Sequence, residues 1–455
     1  MKELIIVVIG AGSVSFGRSV ITDLALEESL REFAVSLRLV DIDELALRRM
    51  YQLALLVKEK TKASHLVISA TTKREEALSC ADYVIVSVAE KRFALWEKDF
   101  YIPLSFGFKQ VYGENGGPGA AFHTLRSIHL MMPICRDMER WCPEALILNY
   151  TNPESRVCLA IHKLTSLRAV GLCHGPMTTW EVVSEILGRP KEDTVVTIGG
   201  INHFHWVLGI QDSQGKDLMP EFKLRIHDAL PRLNPFVQTM YKIYGFLPYP
   251  ALSHPEEYVH FAYSFTGPLL FRWGIGEVAR PLNATVEDLE YAIEGRPGMP
   301  SYELWCREEA RTIEAIVIGE KPLPQDFLKP SGELAIPIIS SIEHDLHRRE
   351  IAANVVNEGA IAQLSAEAIV EVPIMVDGEG VHPLPVGALP PAIAAMCQLQ
   401  IAIQELLVEA YRERSKRLLL QALLLEPTVS DVKRAREMME VMLHVEREYL
   451  PEMHE

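Results

Sequence analysis

Short apolar runs that alternate with helical stretches, a glycine turn directly after the first run, and a Leu- and Ala-rich segment late in the chain predict an α/β fold. The expectation is an N-terminal Rossmann-like parallel-sheet domain over residues 1–197. A C-terminal mixed α+β domain rich in helices should follow over 198–455, for substrate binding and oligomerisation. Residues 4–9, LIIVVI, form a continuous apolar run rich in β-branched side chains, as a parallel strand buried on both faces requires. Gly10-Ala11-Gly12-Ser13 breaks that run, and 19–30 reads as a helix. The next strand, 36–40, ends on Asp41-Ile42-Asp43 and leads into a long helix over 44–60. Then come a strand at 66–70, a short helix at 73–78, a strand at 83–88, and apolar runs at 146–148 and 169–172 that close on polar residues. Sites in such sheets gather beyond the carboxyl ends of the strands. Residues 10–13, Asp41, 87–90, 149–153 and Cys173-His174 should therefore share one rim. After a strand at 195–201 the alternation fades, and 220–340 is irregular and rich in Pro, Tyr and Trp. Residues 390–425 read as helical, with Pro390-Pro391 suited to a first turn. No heptad persists there, so dense Leu and Ala mean domain or subunit core and not a coiled coil.

Composition narrows the classes of function. With 45 Lys+Arg against 61 Asp+Glu the formal net charge is −16, which argues against a general nucleic-acid binder. A hydrophobic content of 48% argues against disorder. No uninterrupted apolar run approaches the roughly 18 residues of a membrane span, so no membrane partner is expected. The seven cysteines are odd in number and lack framework spacing, which suits reduced thiols and a cytoplasmic location. The N-terminal LIIVVIG has neither a strongly positive flank nor a small-residue cleavage site, and reads as a strand instead of a signal peptide.

The strongest local signal is strand, then Gly10-Ala11-Gly12-Ser13-Val14-Ser15-Phe16, then helix. Glycines let a backbone turn tightly and approach a pyrophosphate, whose charge meets the free N–H groups at the helix start. Ser15 stands where the usual third glycine would be, and Gly17 lies two residues on. Asp41 ends the next strand, where a carboxylate can accept both ribose hydroxyls and repel a 2′-phosphate, favouring NAD over NADP. Gly10, Gly12, Ser13, Val14, Ser15 and Asp41 are thus candidate cofactor residues, with Asn149 on a neighbouring strand end. Cys173 and His203 each follow an apolar strand and could hold a divalent ion if their loops meet. Taken alone, a buried cysteine and a core histidine are the commoner explanation, and ligand softness would name zinc. His205 would face the other way if the strand at 197–201 continued. Asn152 sits in Asn149-Tyr150-Thr151-Asn152-Pro153, where it either contacts substrate hydroxyls or opens a turn. Glu114 lies in a glycine-rich loop, and His254 opens His254-Pro255-Glu256-Glu257-Tyr258, which is either a titratable cluster or an exposed loop.

Together these segments resemble glycoside hydrolase family 4, the NAD- and metal-dependent glycosidases. The stretches that carry the resemblance run in order from residue 10 to about 391. They are GAGSVSFG, LVDID, EKDFYIPLSFG, GENGGPGAAFHTLRSI, LILNYTNPES, VGLCHG, GINHFHW, HPEEY, SGELA, VVNEGAI and VEVPIMVDGEGVHPLPVGALPP. The resemblance implies hydrolysis by an unusual route, without the usual carboxylate pair. Oxidation at carbon 3 with NAD acidifies the carbon-2 hydrogen, the glycosidic oxygen is eliminated, water adds, and the ketone is reduced again. It implies Cys173 and His203 as metal ligands, with manganese as the ion, and Asn152 and Asn202 as substrate contacts. It also implies catalytic roles for Glu114 and for His174, which follows the ligand cysteine where some members carry an acid for the leaving group. Where some members have an Asp before the His-x-x-Glu-Tyr motif, this chain has Ser253, leaving Tyr249, Tyr244 and His254 as candidates for the carbon-2 base. The segment Pro176-Met177-Thr178-Thr179-Trp180 departs from the family and could reshape the sugar subsite.

The resulting expectation is a glycosidase for an α-linked, unphosphorylated hexoside, assembled as a homodimer or homotetramer. An acidic sugar fits if Arg92, Lys109 or Arg272 reaches the pocket. Two other readings remain: a dehydrogenase of the malate/lactate type, which shares the glycine loop, and a catalytically silent NAD-binding protein.

Overall fold

The computed structural model describes residues 2–250, 254–266 and 300–455. Ser253 and Arg272, both named above, lie outside them. Six strands form the first part of the sheet: β1 (Glu3–Ile9), β2 (Ala34–Val40), β3 (Leu66–Thr71), β4 (Tyr83–Val86), β5 (Leu146–Asn149) and β6 (Arg168–Gly171). They pair in parallel in the order β3-β2-β1-β4-β5-β6. The order reverses at β1, which is the doubly wound arrangement with its switch point beside the glycine turn. Helices α1 (Phe16–Leu26), α2 (Glu44–Thr61), α3 (Arg74–Leu78), α4 (Arg92–Ser105), α5 (Pro118–Trp141), α6 (Glu154–Leu164) and α7 (Gly175–Leu187) connect or follow these strands. Every residue of β1 after Glu3 is buried, in accord with its unbroken apolar run.

The second half does not build a separate sheet. Strands β7 (Val195–Ile201), β8 (Phe204–Gln211), β9 (Arg348–Val356) and β10 (Ile369–Asp377) extend the first, in the order β6-β9-β10-β7-β8, with β11 (Gly380–Pro383) on β10. All of these added pairings are antiparallel. The expected fading of strand signal after 201 therefore hides four strands that join the same sheet. The extended strand through His205 is corrected as well. The chain reverses at Asn202-His203, where His203 takes φ 61°, and His205 pairs back against Gly200.

Smaller departures have local causes. The helix expected at 19–30 begins at Phe16 and ends at Leu26, before a 3-10 turn Ser29–Glu32. The helical segment at 390–425 is two helices, Pro391–Glu413 and Lys416–Leu425, parted by Arg414 in the left-handed region and restarted by Ser415, whose hydroxyl accepts from the Leu418 N–H. Pro391–Glu413 is long and apolar enough to cross a membrane by length and composition. Its buried side chains join the protein's core, Ile393 and Ile401 in the apolar cluster that includes Ile201 and Leu389, and Leu407 in the one that includes Phe122 and Leu125 of α5. All seven cysteines are free thiols.

Candidate active site

Sheet register brings the sequence-separated candidates to one rim. Ile9 pairs with Val40 and with Val86, Val86 with Asn149, and Asn149 with Gly171, so four strands and β6 end level. Gly10, at φ +87°, turns there, and a Cβ on it would fall 1.9 Å from the Ser87 carbonyl oxygen. Only glycine lets β1 and β4 diverge so closely. Asp41 is pinned to the same turn: its Oδ2 accepts from the Gly12 N–H at 2.8 Å and its Oδ1 from the Asp43 N–H at 2.9 Å. A carboxylate has further lone pairs to offer to diol hydroxyls. Ser15 caps α1 without a side-chain bond, and Ser13 Oγ accepts from the Phe16 N–H at 3.3 Å. Gly17, in place of a third fingerprint glycine, lets α1 lie on the turn, since a Cβ there would sit 2.4 Å from the Ala11 oxygen. Turn, helix start and carboxylate thus fit a dinucleotide. Asn149 is fully buried, with its Oδ1 accepting from the Thr151 N–H at 3.0 Å and its Nδ2 donating to the Thr151 oxygen at 3.2 Å. Its side chain thereby shapes the turn that follows β5. Val14 is buried.

Cys173 follows β6 and His203 sits at the β7–β8 tip; these two loops do meet. Cys173 Sγ lies 3.0 Å from His203 Nε2. Burial, then Glu371, pushes the Cys173 thiol up, while burial and the neighbouring His254 and His205 push His203 down and keep it neutral. A thiol and a neutral imidazole aimed at each other are suitable donors for a divalent ion once the thiol is deprotonated. His203 Nδ1 is buried without a partner. Among the described residues no group of three His, Cys, Asp or Glu could hold a metal. The fit is therefore to an ion with two protein ligands and remaining positions for substrate oxygens or water.

Three further candidates surround this pair. The His254 ring stacks on His203 with centroids 4.0 Å apart, and the Tyr249 ring lies nearly parallel to His203 at 6.1 Å. Burial, with Cys173 next, pushes the Tyr249 phenol up. Burial alone would lower His254, but its hydrogen bond to Glu257, Nδ1 to Oε1 at 3.1 Å, together with the charges of Glu257, Glu114 and Glu256, raises it. Tyr244, by contrast, packs edge-on against Trp206 in the core. Glu114 is buried and receives Arg92 Nη2 and Asn152 Nδ2, each 3.3 Å from its Oε1. His174 turns outward, its Nδ1 3.4 Å from Glu333, and its hydrogen bond with that carboxylate raises its pKa. The Asn202 amide is buried and donates to Glu371 Oε1 at 3.2 Å. Of the cations proposed for an acidic sugar, Arg92 is paired with Glu114 and Lys109 lies over the Tyr263 ring. Met177 and Trp180, from the unfamiliar segment after Gly175, line a cavity of ≈ 480 Å³ with Asp23, Thr194 and Glu333.

Two residues with no assigned role organise the site. Glu257 Oε2 accepts the N–H groups of Glu114, Asn115 and Gly116 at 2.8, 2.8 and 3.1 Å, fastening the Glu114 loop to His254. Glu371 stands under the β7–β8 tip. The segment holding Glu257 is a buried 3-10 turn, Pro255–Tyr258, and the exposed-loop alternative is excluded. Two adjacent glutamates beside an aromatic were the available signal.

Fold and rim define a doubly wound α/β enzyme carrying a thiol–imidazole pair where its strands end. A model described as family 4 glycosyl hydrolase matches residues 5–189, and one for the C-terminal domain of that family matches 198–429. The chain is 31% identical to an alpha-glucosidase of Erwinia rhapontici, covering 98% of both. It is 30% identical to an alpha-galactosidase of Bacillus subtilis, over 93% of this chain and 92% of that one. A 6-phospho-alpha-glucosidase from gut microorganisms, crystallised with NAD and Mn²⁺, superposes with a TM-score of 0.80 over 100% of both chains at 24% identity, a likeness of fold. The chain belongs to glycosyl hydrolase family 4.

Proposed function

We propose that this glycosidase cleaves an α-linked, unphosphorylated hexoside by the oxidation–elimination route, using NAD and a divalent ion, with manganese the working choice. The observation that carries the reading is the Cys173–His203 pair, 3.0 Å apart on the rim that also holds the glycine turn. NAD and Mn²⁺ in a relative of the same fold support the cofactors; relatives named alpha-glucosidase and alpha-galactosidase support an α-hexoside, while others are named for 6-phosphorylated α-glucosides. In this reading Gly10, Gly12, Ser13, Val14, Ser15 and Asp41 hold NAD, which supplies the reversible hydride acceptor. Cys173 and His203 hold the ion, which polarises the oxygens on carbons 2 and 3. Asn152 and Glu114, bonded to each other, meet the sugar hydroxyls beside it. Tyr249 or His254, both rings lying close to His203, removes the carbon-2 proton. His174, turned to Glu333, delivers a proton to the leaving group. The site excludes bulk water through buried Tyr249, Tyr258 and Tyr112. Exposed Leu424, Leu425, Val432 and Val441 on the C-terminal helices supply apolar surface for a homodimer or homotetramer.

The test is a panel of nitrophenyl α- and β-hexosides, uronides and 6-phosphohexosides with NAD, Mn²⁺ and a reductant. The expected outcome is cleavage of an unphosphorylated α-glucoside or α-galactoside with no net NADH. Turnover confined to 6-phosphohexosides would overturn the substrate assignment. Accumulating NADH together with indifference to Cys173→Ser would favour a dehydrogenase, and tight NAD binding with no metal binding or turnover would favour a silent binder.

A further inference from the structure

Glu371 is a carboxylate in the middle of β10, fully buried and directly opposite Gly200 of β7. A buried charge persists only where several hydrogen bonds compensate its desolvation. Here the partners are specific. Oε1 accepts from Asn202 Nδ2 at 3.2 Å and Asn354 Nδ2 at 3.0 Å, and Oε2 meets His205 Nδ1. Asn202 and His205 flank the tip that presents His203. The other His205 nitrogen shares a 2.8 Å hydrogen bond with Thr179 Oγ1, on the helix that starts two residues after Cys173. One carboxylate thus touches the supports of both halves of the Cys173–His203 pair.

The tip needs such support. His203 adopts φ 61°, a left-handed conformation that a non-glycine residue keeps only where its surroundings over-determine it. Asn202 is held on both sides, by Glu371 at its amide and by Tyr258 Oη, which donates to its carbonyl at 3.0 Å.

We propose that Glu371 is a positioning residue for the metal site: through Asn202 and His205 it sets the separation and aim of Cys173 Sγ and His203 Nε2. The inference rests on the reading of that pair as metal ligands. Its consequence is that Asn202 serves the ion and not the sugar. Partners of this kind typically contribute about 10–100-fold in metal affinity.

The test titrates metal-free protein with Co²⁺ and follows the thiolate-to-cobalt absorption band, with NAD affinity measured in parallel. Glu371→Gln keeps the size of the side chain but replaces one acceptor oxygen with a donor. The expected result is Co²⁺ binding weaker by about 10–100-fold, a band altered at saturation, and NAD affinity within about twofold of the parent. Asn202→Ser, a smaller change, should weaken Co²⁺ in the same direction and serves if Glu371→Gln does not fold. Parental Co²⁺ affinity and band in these variants, while Cys173→Ser abolishes the band, would overturn the positioning role alone. A band that survives Cys173→Ser would overturn the metal-ligand reading beneath it. Equal losses of Co²⁺ and NAD binding would mean general loss of structure and would also overturn the proposal.

Discussion

Single atoms decide much of this site. Cys173 and His203 become a plausible ligand pair only because two strand ends, 30 residues apart in sequence, bring Sγ and Nε2 together. Cys173→Ser should abolish hexoside cleavage and lower metal affinity by more than the roughly 10–100-fold expected for an outer partner, as read by Mn²⁺ titration. Gly171, two residues earlier, has no room for a side chain: a Cβ would lie 1.3 Å from Glu154 Oε1 and 2.9 Å from Cys158 Sγ. Both neighbours are buried, so Gly171→Ala should cost about 1–3 kcal/mol in urea unfolding, as overpacking does. Glu256 makes a pH-dependent prediction. Burial raises its pKa from 4.5 to about 8, and only Oε1 has a partner, Asn234 Nδ2 at 2.7 Å. The folded chain therefore binds this proton more tightly than the unfolded one. Its stabilising effect is complete below about pH 4.5 and is lost as pH rises to about 8. Glu256→Gln should remove that loss, so the variant gains on the parent between pH 5 and 8, at a limiting slope of about 1.4 kcal/mol per unit. Melting temperatures across that range check it.

Among the elements, the β7–β8 hairpin and the Glu114 loop carry the site, and they differ in how far the sequence exposes them. The parallel half was legible. Apolar runs buried on both faces, a glycine turn and an acid at the next strand end are local signals, and β1, β2, α2 and β3 fall within two residues of expectation. The hairpin was not, because nothing local separates a strand continuing through Asn202-His203 from one reversing there. The left-handed His203 is held by Glu371 from far along the chain, not by its neighbours in sequence. The same distance hid β9 and β10: their apolar runs are plain, but their place between β6 and β7 depends on contacts remote in sequence. Legible motifs single out Cys173, His203, Glu114 and His254 as candidates and place Glu257 in an acidic cluster, whereas the bonds by which Glu371 and Glu257 fasten them are visible only in three dimensions. Glu257→Gln removes the charge that collects three backbone N–H groups. It should destabilise the protein by about 1–3 kcal/mol and speed protease cleavage within 113–117.

At the size of the whole molecule, the C-terminal helices are tied into the dinucleotide half by buried ion pairs. Arg126 of α5 bonds Asp99 of α4 and Glu446 beyond the helix Val432–Val445. Arg156 of α6 meets Glu426, which also accepts from the Gly117 N–H at 3.2 Å in the loop that carries Glu114. The tail thereby bears on the site. Arg126→Met would strand two buried carboxylates and should cost about 3–5 kcal/mol, read as a lower urea midpoint. The sheet brings the glycine turn and the Cys173–His203 pair to one rim, and the most direct test of their proposed joint use follows an atom of the sugar. With an α-hexoside that the enzyme cleaves, run in D₂O with NAD and Mn²⁺, the oxidation–elimination route requires deuterium at carbon 2 of the released hexose. Cleavage that leaves carbon 2 unlabelled would contradict it.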